Sequence, residues 1–124
     1  MFLLAVRAYL VLIHFDLFLA RQNFAGLYDA VRRRPCRNIA FDDDTTSKIC
    51  SAVDFACIWY WKHVLCLQRS AAAACLLKDA GVSAELVIGA QHMPFRAHAW
   101  VEVAGRVVND KSYTKEMYSV LDRC

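Results

Sequence analysis

The sequence predicts an α+β fold in which helices come first and a small antiparallel sheet follows. Apolar residues recur with helical spacing as far as Gly81, and beyond Gly81 the pattern changes to the alternation that is typical of strands. The strand-like segments are short and separated by turns, which favours a meander of antiparallel neighbours over a parallel sheet.

The composition is that of one globular domain, and we treat residues 1–124 as a single unit of 14.1 kDa. The formal net charge is +3, with 8 basic and 6 acidic groups in residues 1–65 and 7 and 6 in residues 66–124. This balance argues against disorder and against nucleic acid as the main partner. Hydrophobic residues make up 58% of the chain, above the ~45–50% of typical chains. We therefore expect that some apolar surface stays exposed and can bind a partner or a lipid surface.

The N-terminal region predicts a helix over residues 2–33, with a break near Gly26 and an end at Pro35. Arg7 and Asp16 interrupt the apolar run, and the start lacks the basic segment of a signal peptide, so a membrane-spanning helix is not expected. Two interpretations remain. The helix either packs on the rest of the domain or docks on a partner protein or a membrane surface.

A polar segment over residues 35–47 separates this region from the rest of the chain. We interpret its acidic run Asp42–Asp44 as a solvated loop, although three carboxylates could bind a divalent cation, and Thr45–Ser47 offers helix N-caps. The periodicity then predicts a second helix from Lys48 to about His63 and a third from Cys66 to Gly81.

The third helix and the strands after it are the best-defined elements of the sequence. Residues 71–74 are all alanine, so another element must approach this helix closely. Three strands are predicted, with a turn over residues 91–96 between the first and the second: Ala84–Ala90, Ala97–Val103 and Arg106–Asn109.

The hairpin at Gly105 predicts a contact between two distant side chains. A two-residue loop would need positive φ at an alanine, whereas a three-residue loop, 103–105, needs it only at the glycine. The three-residue loop pairs Glu102 with Arg106 and places His98 directly opposite Asp110 on the same face. A two-residue loop would put these two residues on opposite faces.

Six cysteines occur without a CxxC pair or a Cys/His spacing that matches a zinc site. Several lie in apolar helical stretches, where a reduced cysteine behaves as a small hydrophobe. A secreted disulfide scaffold would be smaller and richer in loops. We therefore expect reduced thiols in the cytoplasm, and no metal or cofactor site.

One cysteine stands at a reactive position. Cys66 begins the third helix, where free backbone N–H groups and the helix dipole favour a thiolate, and a neighbouring imidazolium would favour it further. The chain order Cys66, His98, Asp110 matches the papain and transglutaminase arrangement, a cysteine on a helix packed against an antiparallel sheet that carries histidine and then Asn or Asp. Depending on the register, Asn109 could face the histidine instead of Asp110.

The remaining cysteines and histidines are expected to have structural roles. Trp100 lies on the same strand face as His98, and it either shields His98 from water or belongs to the core. Gln68 is too far along its helix to stabilise an oxyanion. We assign ordinary packing or surface roles to Cys50, Cys57, Cys75, His14, His63 and His92.

Several linked motifs span about a third of the chain, from Cys66 to Asp110. They are CLQRS at 66–70, Leu76-Leu77 before Gly81, LVIG at 86–89, PFRAHAWVE at 94–102, and Gly105 followed by Asn109-Asp110. Together they resemble the transglutaminase-like leader peptidases of lasso-peptide biosynthesis. The resemblance implies a catalytic core over 48–124, preceded by a helical region and loop over 1–47.

The resemblance also implies residue roles and partners. Cys66 would be the nucleophile, His98 its base and Asp110 the residue that orients His98, in a cysteine protease that removes the leader from a ribosomal precursor peptide. An ATP-dependent cyclase then closes the ring in such pathways. Since no room is expected here for a leader-recognition domain before the helical region, the chain resembles the split form that relies on a separate recognition protein.

Two other functional classes fit the same residues. A transglutaminase-like acyltransferase would use the same triad with an amine as acceptor. A non-catalytic module would only bind a peptide or partner, although it would not need cysteine, histidine and aspartate together. A third possibility, a membrane-associated structural protein, rests on the first helix alone.

Overall fold

A central helix lies between two other helices and an antiparallel sheet in this computed structural model, which describes residues 2–34, 43–92, 95–111 and 113–124. The helices are α1 Phe2–Ala20, α2 Phe24–Arg33, α3 Asp43–Trp59, α4 Cys66–Asp79 and the short α5 Thr114–Met117. The strands are β1 Ala84–His92, β2 Phe95–Val103, β3 Arg106–Val107 and β4 Ser119–Arg123. The predicted α+β class is confirmed.

Helix α4 is the centre of the core. It contacts α1 and α3 on one side and β1 and β2 on the other. Every residue from Ser70 to Lys78 is buried, and the alanines at 71–74 are at most 1% exposed. These small side chains let the sheet approach the helix closely, as the alanine run predicted, while Leu76 and Leu77 fill the space beyond them. Burial of each such leucine stabilises the fold by about 1.5–3 kcal/mol.

The predicted break between the first two helices exists, but it lies at residues 21–23, just before Gly26. Gln22 has a φ of 54°, which turns the chain. The Asn23 side chain then caps α2 by accepting a hydrogen bond of 3.0 Å from the Gly26 N–H. The asparagine cap explains why the glycine lies inside the second helix. Helix α2 ends at Arg33, as predicted, and Pro35 itself lies outside the described residues.

Helix α3 begins at Asp43, earlier than the predicted start at Lys48. The residues interpreted as caps, Thr45–Ser47, are therefore helical, and the loop prediction was wrong for Asp44. Its carboxylate pairs with Lys48 one turn later at 3.0 Å, and acidic side chains suit the first turn of a helix. The helix ends at Trp59, before the predicted end. Asp42 and most of the predicted loop lie outside the described residues.

The sheet has the order β3-β2-β1-β4 and is antiparallel throughout. Strand β4 was not predicted. It is short, it contains Asp122 and Arg123, and it forms because the edge of β1 offers free backbone groups to it. The turn predicted over residues 91–96 was too long, because β1 continues to His92 and β2 already begins at Phe95. The middle of that segment, with Pro94, lies outside the described residues.

The hairpin between β2 and β3 has a two-residue loop, and the three-residue prediction was wrong. The register pairs Val103 with Arg106 and Glu102 with Val107. Ala104 and Gly105 have φ values of 53° and 77°, as the hairpin turn that best matches strand twist requires. The alanine therefore accepts a conformation that it disfavours. Strand β3 also ends at Val107 and does not extend to Asn109 as predicted.

Helix α1 uses one face for packing and leaves another uncovered. Ala5, Ala8, Leu12 and Phe15 are buried, which supports the interpretation of a packed helix. Its outward face exposes large apolar side chains: Phe2, Leu3, Val6, Leu10, Ile13 and Leu17. Within the described part of the chain, this helix alone is long and apolar enough to cross a membrane by length and composition, with 22% of it buried inside the protein. Core helices and signal sequences meet the same criterion.

Replacement of Ala104 by asparagine should stabilise the protein. Asn tolerates positive φ better than alanine, and Asn-Gly is the preferred pair for this turn, so we expect a gain of up to about 1 kcal/mol in the free energy of unfolding. Urea unfolding would measure it. Ala80→Asn is the matched control, because Ala80 is also exposed but has a φ of −84°. An equal gain from both substitutions would contradict the strain argument.

Candidate active site

The sequence-predicted nucleophile lies at the first residue of α4. Cys66 is half-buried, and Leu65 before it has no side chain that could cap the helix. The first helical bond from this end runs from the Arg69 N–H to the Leu65 carbonyl, at 3.0 Å. The N–H groups of residues 66–68 precede that bond and have no acceptor within the helix. They surround the start of the helix with hydrogen-bond donors.

His98 and Asp110 lie in direct contact. The distance from His98 Nε2 to Asp110 Oδ2 is 2.6 Å, and the side chains are 24% and 20% exposed. Burial alone would raise the pKa of the Asp110 carboxyl. Hydrogen bonds from His98 and the Lys111 N–H, with the charges of His98 and Arg69, outweigh burial and lower it. Because an ionised carboxylate only accepts, His98 Nε2–H donates to it, which leaves Nδ1 as the basic nitrogen of the neutral ring.

The route by which Asp110 reaches His98 differs from the predicted one. In the observed two-residue register, a continued strand would put these side chains on opposite faces. The strand stops at Val107 and the chain bends over residues 108–110, which carries Asp110 to the His98 side. Asn109 was the alternative partner for His98, but its side chain bonds Val101 and Ser70.

Two aromatic rings hold the His98 imidazole. Its centroid lies 6.0 Å from that of Trp100 and 5.3 Å from that of Tyr118, and both pairs are stacked. Gly89 pairs with His98 across the sheet. A Cβ on residue 89 would come within 2.6 Å of the Trp100 ring and 2.8 Å of Tyr118 Cβ, so glycine makes room for both aromatic residues. Sequence reasoning missed Tyr118, because it directly precedes the unpredicted β4.

A buried carboxylate fixes the Trp100 ring in turn. Glu102 accepts a hydrogen bond of 2.8 Å from Trp100 Nε1 and one of 3.0 Å from Arg123 Nη1. Burial alone would raise the Glu102 pKa, but these two bonds and the Arg123 charge outweigh it and lower the pKa. Trp100 is fully buried, so it belongs to the core and also stacks on His98. The interpretation of Trp100 as a core residue is confirmed, and its role in shielding His98 from water stays a prediction.

Two cavities meet at Cys66. The first, of about 330 Å³, also touches His98 and has largely apolar walls formed by Phe24, Tyr28, Leu67, Ile88, Ala97 and Ala99. The second, of about 540 Å³, has a more polar wall formed by Asp54, Cys57, Ile58, Lys62, His63, Val64 and Arg69. Cys66 and His98 thus line a common cavity, and Cys66 also lines the second one.

The other histidines lie in different settings. His14 is exposed on α1, where its ring contacts Phe15 in a tilted arrangement and Phe18 edge to face. His63 is exposed and lines the second cavity beside Cys66, a position that the sequence did not reveal. The His92 side chain lies outside the described residues.

The cysteines of the described region are free thiols. Burial raises the pKa of Cys50 to about 11 and also raises the pKa of Cys57, Cys75 and Cys124. These four groups therefore stay protonated at neutral pH and are poor nucleophiles. Cys36 lies outside the described residues.

Gln68 links two helices. Its buried Nε2 donates a hydrogen bond of 2.8 Å to the Leu12 carbonyl and so links α4 to α1. No group of three or more His, Cys, Asp or Glu side chains among the described residues is arranged to hold a metal ion.

Comparison with known proteins places nearly the whole chain in one family. Residues 9–123 match the model of the transglutaminase-like superfamily. A stretch of 56 residues is 41% identical to the Microcin J25-processing protein McjB of Escherichia coli. That stretch is 45% of this chain and 27% of the relative, so the match spans about a quarter of McjB. No solved structure shows a significant match. The chain belongs to the transglutaminase-like superfamily.

Proposed function

We propose that the chain is a cysteine peptidase that removes the leader from a ribosomally made lasso precursor peptide through Cys66, His98 and Asp110. The observation that carries the proposal is the cavity that Cys66 and His98 both line. Cys66 lies at the start of a helix, and Asp110 bonds the His98 imidazole. Family membership and the similarity to a microcin-processing protein support the same reaction class.

The first chemical step is a proton transfer from the Cys66 thiol to His98. The His98 Nε2–H is engaged with Asp110, so Nδ1 receives the proton, and the carboxylate stabilises the imidazolium that forms. The N–H groups at the start of α4 stabilise the thiolate. Trp100 and Tyr118 keep the ring from rotating away between these states.

Acylation and hydrolysis follow. The thiolate attacks the carbonyl carbon of the scissile bond, and the first-turn N–H groups of α4 are positioned to stabilise the oxyanion. His98 returns its proton to the leaving amine as the C–N bond breaks, which releases the core peptide and leaves the leader as a thioester on Cys66. Water then attacks the thioester with His98 as base. The products are a leader with a free carboxyl group and the regenerated thiol.

The position of Cys66 between two cavities suits a polypeptide substrate. A chain that crosses the thiol needs space on both sides of the bond that is cut, and the two cavities provide it. Their walls differ: one is apolar, whereas the other carries the charges of Asp54, Lys62 and Arg69. The substrate residues on the two sides of the scissile bond would therefore meet different chemistry.

The proposal extends to partners and compartment. The resemblance to the split leader peptidases supports a separate leader-recognition protein and an ATP-dependent cyclase that uses the released core peptide. The exposed apolar face of α1 is compatible with such a protein partner. Free thiols throughout the described region suit the reducing cytoplasm.

Substitutions of the three triad residues should reduce leader cleavage while the protein still folds. Cys66→Ala and His98→Ala should abolish leader cleavage, and Asp110→Ala should lower kcat/KM less, by at least about tenfold, because nucleophile and base remain. Mass spectrometry of a precursor peptide, with the recognition protein present, measures the products. Cys124→Ala and His14→Ala are the matched controls and should keep wild-type rates. Cleavage by Cys66→Ala would refute the mechanism.

The same assay distinguishes hydrolysis from acyl transfer. With a primary amine added in excess, a peptidase still yields a leader with a free carboxyl group, whereas an acyltransferase yields the amide. A protein that binds the precursor but yields neither product would be a binding module. Each outcome has its own mass.

Thiol labelling tests activation of Cys66 without a substrate. We expect a small alkylating reagent at neutral pH to modify Cys66 faster than the thiols whose pKa burial raises: Cys50, Cys57, Cys75 and Cys124. His98→Ala should slow the reaction of Cys66 alone, whereas His14→Ala should not. Peptide mass mapping gives each rate. If Cys66 reacts no faster than the others with precursor and recognition protein present, it is not an activated nucleophile.

The lowered Asp110 pKa predicts a pH dependence of stability. A carboxyl with a lower pKa in the folded state stabilises the protein fully above its unfolded pKa, roughly pH 4, and loses this contribution as the pH falls through the folded value. The stability difference between wild type and Asp110→Asn should therefore shrink as the pH falls below about 4. Urea unfolding at each pH measures it. A difference that grows as the pH falls below about 4 would contradict the assignment.

A further inference from the structure

Asn109 connects three parts of the structure at the point where β3 ends. Its Oδ1 accepts a hydrogen bond of 2.8 Å from the Val101 N–H, and its Nδ2 donates one of 3.0 Å to Ser70 Oγ. The Ser70 hydroxyl donates to the Ala99 carbonyl at 3.0 Å, and Arg69 donates to the Asn109 carbonyl at 2.8 Å. One side chain and its backbone thus link β2 to α4 immediately before Asp110.

The Asn109 side chain replaces a bond of the sheet. The Val108 N–H bonds the Val101 carbonyl at 3.0 Å, as in an antiparallel pair, in which the Val101 N–H would bond back to the Val108 carbonyl. Here Asn109 Oδ1 takes that N–H. The main chain is therefore free to leave the sheet without an unpaired donor on β2.

This replacement determines which face of the sheet Asp110 lies on. A regular continuation of the two-residue register would carry Asp110 to the face of Ala99 and Val101, away from His98. The bend carries it to His98, where the carboxylate lies 2.6 Å from Nε2. Asn109 therefore lies at the position where the chain either continues as strand β3 or bends and forms the His98–Asp110 pair.

We propose that Asn109 is a positioning residue of the active site, whose side-chain amide ends strand β3 and thereby holds Asp110 against His98. The role rests on the proposed peptidase function for its catalytic consequence, but the juxtaposition itself does not require it. Because Ser70 lies four residues after Cys66 on α4, the same amide also ties the His98 strand to the helix of the nucleophile.

The first test follows the Asp110 carboxyl itself by carbon NMR titration. The charged groups close to it are His98 and Arg69, and the Lys111 N–H also bonds it. In wild type we expect Asp110 to titrate below the usual range of an aspartate. In Asn109→Ala strand β3 can continue, and Asp110 should titrate close to its ordinary value.

Ser70→Ala is the second variant. It places alanine inside a helix, so of the two variants it disturbs folding less. It should shift the titration in the same direction by a smaller amount.

Lys78→Met is the matched control for lost stability. Lys78 is a buried residue of α4 that also donates to backbone carbonyls, those of Val31 and Cys124, but at the far end of the helix from Cys66. Its loss should lower the unfolding midpoint without moving the Asp110 titration. If Asn109→Ala and Ser70→Ala are destabilised yet Asp110 titrates as in wild type, Asn109 has only a structural role and the proposal is wrong.

A double-mutant cycle on peptide cleavage provides the second test. Asn109→Ala should lower kcat/KM by about 10- to 100-fold in wild type but less than about twofold in the Asp110→Ala background, because a residue that acts through Asp110 has nothing left to position. Equal losses in both backgrounds would overturn the proposal and leave the peptidase function intact. If wild type cleaves no precursor, the peptidase function fails, and the titration alone decides the role of Asn109.

Discussion

The packing of α4 against the sheet is the constraint on which the rest of the structure depends. Alanines 71–74 contribute almost no side-chain bulk, so the helix lies close to β1 and β2 and is covered by α1 and α3 on its other side. This contact sets the distance between the start of α4 and strand β2. Cys66 and His98 line one cavity because α4 and β2, which carry them, pack against each other further along the helix.

The His98 side of the site is held by a chain of contacts that begins in the core. Arg123 and Trp100 satisfy the buried Glu102 carboxylate, and both Trp100 and Tyr118 stack on His98. Strand β4 thus contributes to the site although none of its residues reacts. The proposed role of His98, which accepts and returns a proton within one catalytic cycle, requires such fixed surroundings, since a rotated ring would lose its bond to Asp110.

Local signals in the sequence predicted much of this arrangement. The bounds of α4 and the helix-start position of Cys66 follow from periodicity and from Gly81, and the alternation in β2 predicted which residues share a face with His98. The proximity of His98 and Asp110 was also predicted, but from a register that the structure does not have. Local preference disfavours positive φ at Ala104, whereas the observed loop adopts it, and the bend at Asn109 compensates for the change of face.

What the sequence could not supply are the interactions between distant segments. Nothing near Ser119–Arg123 predicts a strand, because that segment becomes one only when β1 offers it an edge. In the same way, the asparagine before Asp110 reads as an ordinary turn residue until Val101 and Ser70 lie beside it. Side chains that replace backbone bonds are visible only in three dimensions. The residue that determines the geometry of a pair of side chains can therefore be one whose own side chain is bonded elsewhere.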